Sequence, residues 1–189
     1  GWKLAAEIRG SAPPGLLASY QTERRAAAER MVLNAQAQAA LIAPGSDVTG
    51  LRAVVTELLG DRDTVRRLAE LTTGADIAYD MGDPAAHPLT GRFAPELVLD
   101  TQAGPARLAE LTQTARPLLL DLTGDGSLAG ITAEWRDHLD VVTARPQPGA
   151  PAALLLRPDC YVAWAADHVD SQAVQALRAA LRRWLPTAA

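Results

Sequence analysis

After Gly74 the apolar residues of this chain stop recurring every three or four positions and gather into short blocks. Residues 97–99, 117–122 (PLLLDL), 140–144, 153–156 and 160–164 are too short for helices that bury a face. They are rich enough in Leu, Val and Ala to read as covered strands. Between them, residues 105–113 and 127–136 read as helices. Arg157-Pro158-Asp159 separates the last two blocks as a hairpin turn does. Residues 171–185 then place Val174, Leu177, Leu181 and Trp184 on one face of a closing helix.

Strand, helix, strand, hairpin, helix is the order of a thioredoxin-like layout, with a ferredoxin-like fold as its competitor. The expected class is therefore α/β: an N-terminal helical segment over residues 1–74, then a thioredoxin-like domain over 75–189, a mixed sheet with flanking helices. The first part is helical throughout. From Leu16 to about Ala43 there is no glycine or proline, and Leu17, Tyr20, Arg24, Ala27, Met31, Ala35 and Ala39 recur every three or four residues. Two shorter helices follow, over 47–59 and 61–71, and residues 83–93 carry the breakers of a loop. The opening residues Trp2, Leu4, Ala5 and Ile8 are spaced like a helix face, yet no Ser, Thr, Asp or Asn caps them. Two explanations stand, a tag remnant at Gly1 or a helix cut in its middle. On both, upstream sequence is expected to have been removed.

Composition narrows the chemistry. A net charge of -4 argues against a nucleic-acid partner, since phosphate binding wants clustered basic residues. No apolar run approaches the roughly 20 residues of a membrane span, and a soluble, cytoplasmic chain is expected. Cys160 is the sole cysteine, which excludes an intrachain disulfide, a CxxC redox pair and a cysteine-based zinc site. A thioredoxin-like domain here lacks exchange chemistry. His87, His138 and His168 match no metal spacing, and His87 reads as a surface or packing residue. The loop Gly124-Asp125-Gly126-Ser127 lacks the third glycine of a dinucleotide fingerprint and the lysine of a P-loop, and reads as a helix-capping turn.

GWKLAAEIRG at residues 1–10 and APPGLLASYQTERRAAAERMVLNAQAQ at 12–38 resemble the closing FAD-domain segment of aromatic polyketide hydroxylases. These are group A flavoprotein monooxygenases related to phenol hydroxylase and rifampicin monooxygenase. HPLTGRFAPELVL at 87–99, PLLLDLTGD at 117–125 and LLLRPDCYVAWAAD at 154–167 resemble the family's C-terminal thioredoxin-like domain and the segment leading into it. Each motif is only moderately specific; five in the family's order are a strong joint signal spanning nearly the whole chain. Ala26 stands where the family often has proline. Cys160 stands where it usually has glycine, which leads one to expect a turn without positive φ.

The resemblance implies the C-terminal part of an FAD- and NAD(P)H-dependent enzyme that transfers one oxygen atom to an aromatic ring. Flavin, NAD(P)H and most of the substrate cavity would lie upstream, so no catalytic, cofactor-binding or metal residue is assigned, and no flavin is expected to bind this chain alone. The implied partner is the N-terminal FAD-binding part of the same hydroxylase; homo-oligomer contacts are open. Tyr20, Glu23 and Arg24 match the family's Y..ER pattern, either as a packing pair flanked by charge or as docking residues against that partner. Trp2, Leu4 and Ile8 read as docking residues of the same kind, an apolar patch when uncovered. The alternatives are a freestanding, redox-inactive thioredoxin-like interaction module and a small enzyme using Cys160, whose thiol would need a nearby cation or helix N-terminus to activate it.

Overall fold

The computed structural model describes residues 1–83 and 86–186. Seven helices and six strands follow in the order α1 (Trp2–Ile8), α2 (Leu16–Ile42), α3 (Asp47–Leu58), α4 (Arg62–Thr73), β1 (Val98–Thr101), β2 (Gly104–Arg107), α5 (Leu108–Leu111), β3 (Leu118–Asp121), α6 (Ser127–Ile131), β4 (Asp140–Thr143), β5 (Ala153–Leu156), β6 (Val162–Ala166) and α7 (Ser171–Trp184). Two compact units result: Gly1–Tyr20 with Ala78–Ala189, and Gln21–Ile77. The opening helix thus groups with the sheet domain, whereas the change of periodicity at Gly74 had placed it with the helices.

β3, β4, β5 and β6 form one sheet in the order β4-β3-β5-β6, with β3 parallel to β4 and antiparallel to β5, and β5 antiparallel to β6. This order, with α6 crossing between the parallel pair and α7 closing the chain, is the thioredoxin-like one. A ferredoxin-like sheet would interleave its halves and end on a strand, so the competitor falls away. The apolar blocks explain the placement. β3 and β5 sit centrally and every residue of both is buried, as continuous Leu runs require. One face packs Leu118, Leu120, Leu154 and Leu156 with Leu99 and Leu108. Leu177, Leu181 and Trp184 of α7 are likewise buried. Asp170 caps that helix by accepting from the Ala173 amide at 2.8 Å.

Residues 105–113, expected as a helix, are instead the strand β2 and the single turn α5. β2 pairs with β1 in a hairpin, Val98 opposite Arg107 and Thr101 opposite Gly104. The helix-forming run Ala106 to Leu111 yields to this pairing in its first half, and Gly104, at φ 111°, makes the tight return. Among the described residues, no helix is long and apolar enough to cross a membrane.

Candidate functional site

β5 ends at Leu156, Arg157 follows it, and the chain reverses through Pro158 and Asp159. The Cys160 amide donates to the Arg157 carbonyl at 2.9 Å, and the Arg157 amide to the Tyr161 carbonyl at 2.9 Å. Cys160 holds φ +62°. The expectation of a turn without positive φ is therefore corrected. The turn geometry keeps its left-handed residue, and a side chain is forced into it at about 1–2 kcal/mol.

This reversal drives the Arg157 side chain inward, where it is fully buried. Its Nε donates to Asp159 Oδ1 at 3.0 Å and its Nη2 to Asp159 Oδ2 at 2.6 Å, a two-pronged pair. The guanidinium lies 4.6 Å from the Trp184 ring, 5.4 Å from Trp2, 5.6 Å from Tyr79 and 5.7 Å from Tyr161. Such aromatic faces attract a desolvated cation, about 2 kcal/mol where water is excluded. The Trp2 indole closes the arrangement, donating from Nε1 to Asp159 Oδ2 at 2.9 Å. Burial pushes the Asp159 carboxyl upward, but the hydrogen bonds and charge of Arg157, with the Trp2 indole, outweigh it and hold the group below the usual carboxylate range. Lys3 is 3% exposed. Its Nζ donates to Ser19 Oγ at 2.7 Å and lies 5.4 Å from the Trp184 ring.

α1 therefore has two opposed faces. Trp2 and Lys3 turn onto the sheet domain, whereas Leu4 is 54% and Ile8 77% exposed. Trp2, read together with Leu4 and Ile8 in the sequence, already has its partners within this chain. Tyr20 and Arg24 are exposed and Glu23 is buried. Sequence reasoning passed over Arg157 and Asp159 as a cluster, treating them as turn residues. A signal was available: an arginine ending the apolar run Leu154-Leu155-Leu156, two residues before an aspartate.

At the other strand end, the GDGS loop is occupied by carboxylates. Asp121, fully buried, accepts from the amides of Thr123 at 3.1 Å and Leu128 at 3.1 Å. Asp125 accepts from the Thr123 hydroxyl at 2.6 Å and the Ser127 amide at 2.9 Å, and these bonds lower its pKa to about 2. The amides that a phosphate would use are taken by the chain's own anions. His87 is fixed from both ring nitrogens, Nδ1 accepting from the Leu89 amide at 3.2 Å and Nε2 facing Asp167 Oδ1 at 3.2 Å. Among the described residues, no three His, Cys, Asp or Glu side chains gather as a metal site.

Residues 87–188, more than half of the chain, match the family described as aromatic-ring hydroxylase, C-terminal. The chain belongs to the aromatic-ring hydroxylase family. Residues 1–35 of the chain match the FAD binding domain family. It is 42% identical over 190 residues to a 12-dehydrotetracycline 5-monooxygenase/anhydrotetracycline 6-monooxygenase of Streptomyces rimosus, covering 97% of this chain and 37% of that protein. It is 35% identical over 190 residues to a dialkyldecalin synthase of Streptomyces rugosporus, covering 100% of this chain and 36% of that protein. Among solved structures, CabE, an aromatic hydroxylase from angucycline biosynthesis, superposes with a TM-score of 0.87 at 36% identity, over 99% of this chain and 39% of that one. The chain thus spans little more than a third of the length of the curated relatives it matches.

Proposed function

We propose that this chain is the C-terminal part of an FAD- and NAD(P)H-dependent hydroxylase of aromatic, polyketide-type substrates, and that its role there is structural and interdomain. Residues 1–74 then close the FAD- and substrate-binding region, and residues 75–189 are the redox-inactive thioredoxin-like domain. The observation that carries the reading is the seam at Trp2. A helix inside the stretch matching the FAD binding family is fastened to the reversal at Arg157, inside the stretch matching the hydroxylase C terminus, by the hydrogen bond from Trp2 to Asp159 and the Arg157 guanidinium over the Trp2 ring. A helix held in that way fixes the orientation of whatever precedes it.

The docking residues on this reading are Trp2, Leu4, Ile8, Tyr20, Glu23 and Arg24. Trp2 acts from within by setting the angle of α1. Leu4 and Ile8, one turn apart on its outer face, contribute about 1.5–3 kcal/mol each when a partner covers them fully. FAD, when bound in the whole enzyme, supplies the oxygen transfer to the ring. This chain supplies orientation and exclusion of water. With the amides of Thr123, Ser127 and Leu128 in and around the GDGS loop already bonded to Asp121 and Asp125, the residues here do not fit a flavin pyrophosphate, and the chain alone is proposed not to hold the cofactor. The likeness to a protein named as a synthase rather than a monooxygenase fits a scaffold used with more than one reaction.

Titration of FAD into the 189-residue chain tests this. Unchanged flavin fluorescence and an unchanged melting temperature are expected. Stoichiometric flavin binding by the chain alone overturns the proposal.

A further inference from the structure

The unit Gln21–Ile77 carries almost no core. Of its residues only Glu23 and Ala27 are buried, while ten large apolar side chains stand exposed. On α3, Leu51, Val54 and Leu58 are spaced three and four apart, so they share one face. On α4, Val65 and Leu68 do the same. Neither helix has a buried residue. Polar contacts help to hold this unit together. Arg52 donates from Nε to the Leu41 carbonyl at 2.7 Å and from Nη2 to the Ala43 carbonyl at 2.6 Å, capping the end of α2. Arg30 pairs with Asp76 at 2.9 Å, and Asn34 donates to the Leu71 carbonyl at 3.4 Å. Helices of this length are marginal in water without packing, and Leu51, Val54, Leu58, Val65 and Leu68 are left out of the packing they have.

We infer that the exposed apolar faces of α3 and α4 are a docking surface for the flavin-binding part of the same polypeptide, separate from the surface on α1. The inference rests on the proposed function. Two observations favour this occupant. α2 starts within the stretch matching the FAD binding family and leads into α3 across residues 43–46, so the surface continues from that stretch. The matched relatives also carry most of their length outside the aligned region, 37% of one being covered, which is body enough to cover these helices. Several large apolar side chains exposed on one helix face mark an interface.

Hydrogen exchange of residues 47–73 compares the 189-residue chain with the full polypeptide that its gene encodes. Exchange slower on the order of a hundredfold in the full polypeptide is expected, because covered helices open only with the body they pack on. Leu51→Glu with Leu58→Glu removes that protection. The same pair leaves the melting temperature of the 189-residue chain unchanged, which shows that the variant folds. Equal exchange in both proteins overturns the inference; protection of residues 2–8 that still rises in the full polypeptide then leaves the proposed function standing. A gene product without a flavin-binding part overturns both. Protection that appears in the 189-residue chain as its concentration rises, with sedimentation as a dimer, assigns the surface to a second copy and also overturns the inference.

Discussion

Asp159→Asn isolates what holds α1 to the sheet domain. The carboxylate accepts three N–H groups, from Arg157 Nε, Arg157 Nη2 and Trp2 Nε1. An amide of the same shape offers one oxygen, so at least one N–H loses its acceptor and the buried guanidinium loses its counter-charge. Breaking one side of a buried pair costs about 3–5 kcal/mol. The Asp159 side chain keeps 26% exposure and the aromatic faces still attract the cation, so the lower end, about 3 kcal/mol, is expected. For a chain of this size that lowers Tm by about 6–12 °C, read by circular dichroism at pH 7. Removing the cation as well, in Arg157→Met with Asp159→Asn, recovers part of the loss, because no unpaired charge remains. The pH dependence has a fixed sign. A carboxyl depressed in the folded state stabilises fully above its unfolded pKa of about 3.9 and loses that contribution as pH falls through the folded value. The gap between wild type and Asp159→Asn is therefore constant from pH 5 to 8 and narrows below about pH 4. A loss under 1 kcal/mol, or a gap of constant size into acid, refutes the buried-pair argument.

Cys160→Gly relieves the left-handed strain at φ +62°; after the unfolded-state entropy of glycine is subtracted, a gain of about 0.5–1 kcal/mol is expected in urea unfolding. A loss there would show that the thiol's packing outweighs the strain. Leu119→Ala, at a wholly buried position of β3, costs about 2–5 kcal/mol by the same method, and a smaller loss means the sheet collapses around the hole. Carbon-detected NMR is expected to place the Asp125 titration at about 2. Thr123→Val raises it, since the Thr123 hydroxyl is the largest cause of the depression, and a midpoint that stays put refutes that assignment.

Strands whose burial is written as unbroken apolar runs were legible: PLLLDL and Ala-Leu-Leu-Leu became the two central strands because nothing else can shelter such residues. Ala39 to Ile42 continued the long helix as its propensity required. β2 was not legible, since Gly-Pro-Ala-Arg has no strand character and is decided by its partner across the hairpin. Cys160 was misjudged for a related reason: the turn's hydrogen bonds fix φ, and the residue type adjusts to them. The aromatic cage around Arg157 brings together Trp2, Tyr79, Tyr161 and Trp184 from distant parts of the chain. No local pattern announces such a meeting. The apolar faces of α3 and α4 read in the sequence as ordinary helix faces, and only the fold showed them exposed.

Lys3 is the only lysine in the chain, and its amine is sealed against Trp184 with Ser19 as acceptor. An acylating dye or cross-linker thus reaches this side-chain amine only when the first helix lifts away. The rate at which Lys3 is tagged is consequently a clock for that detachment, built into the chain without any engineered label.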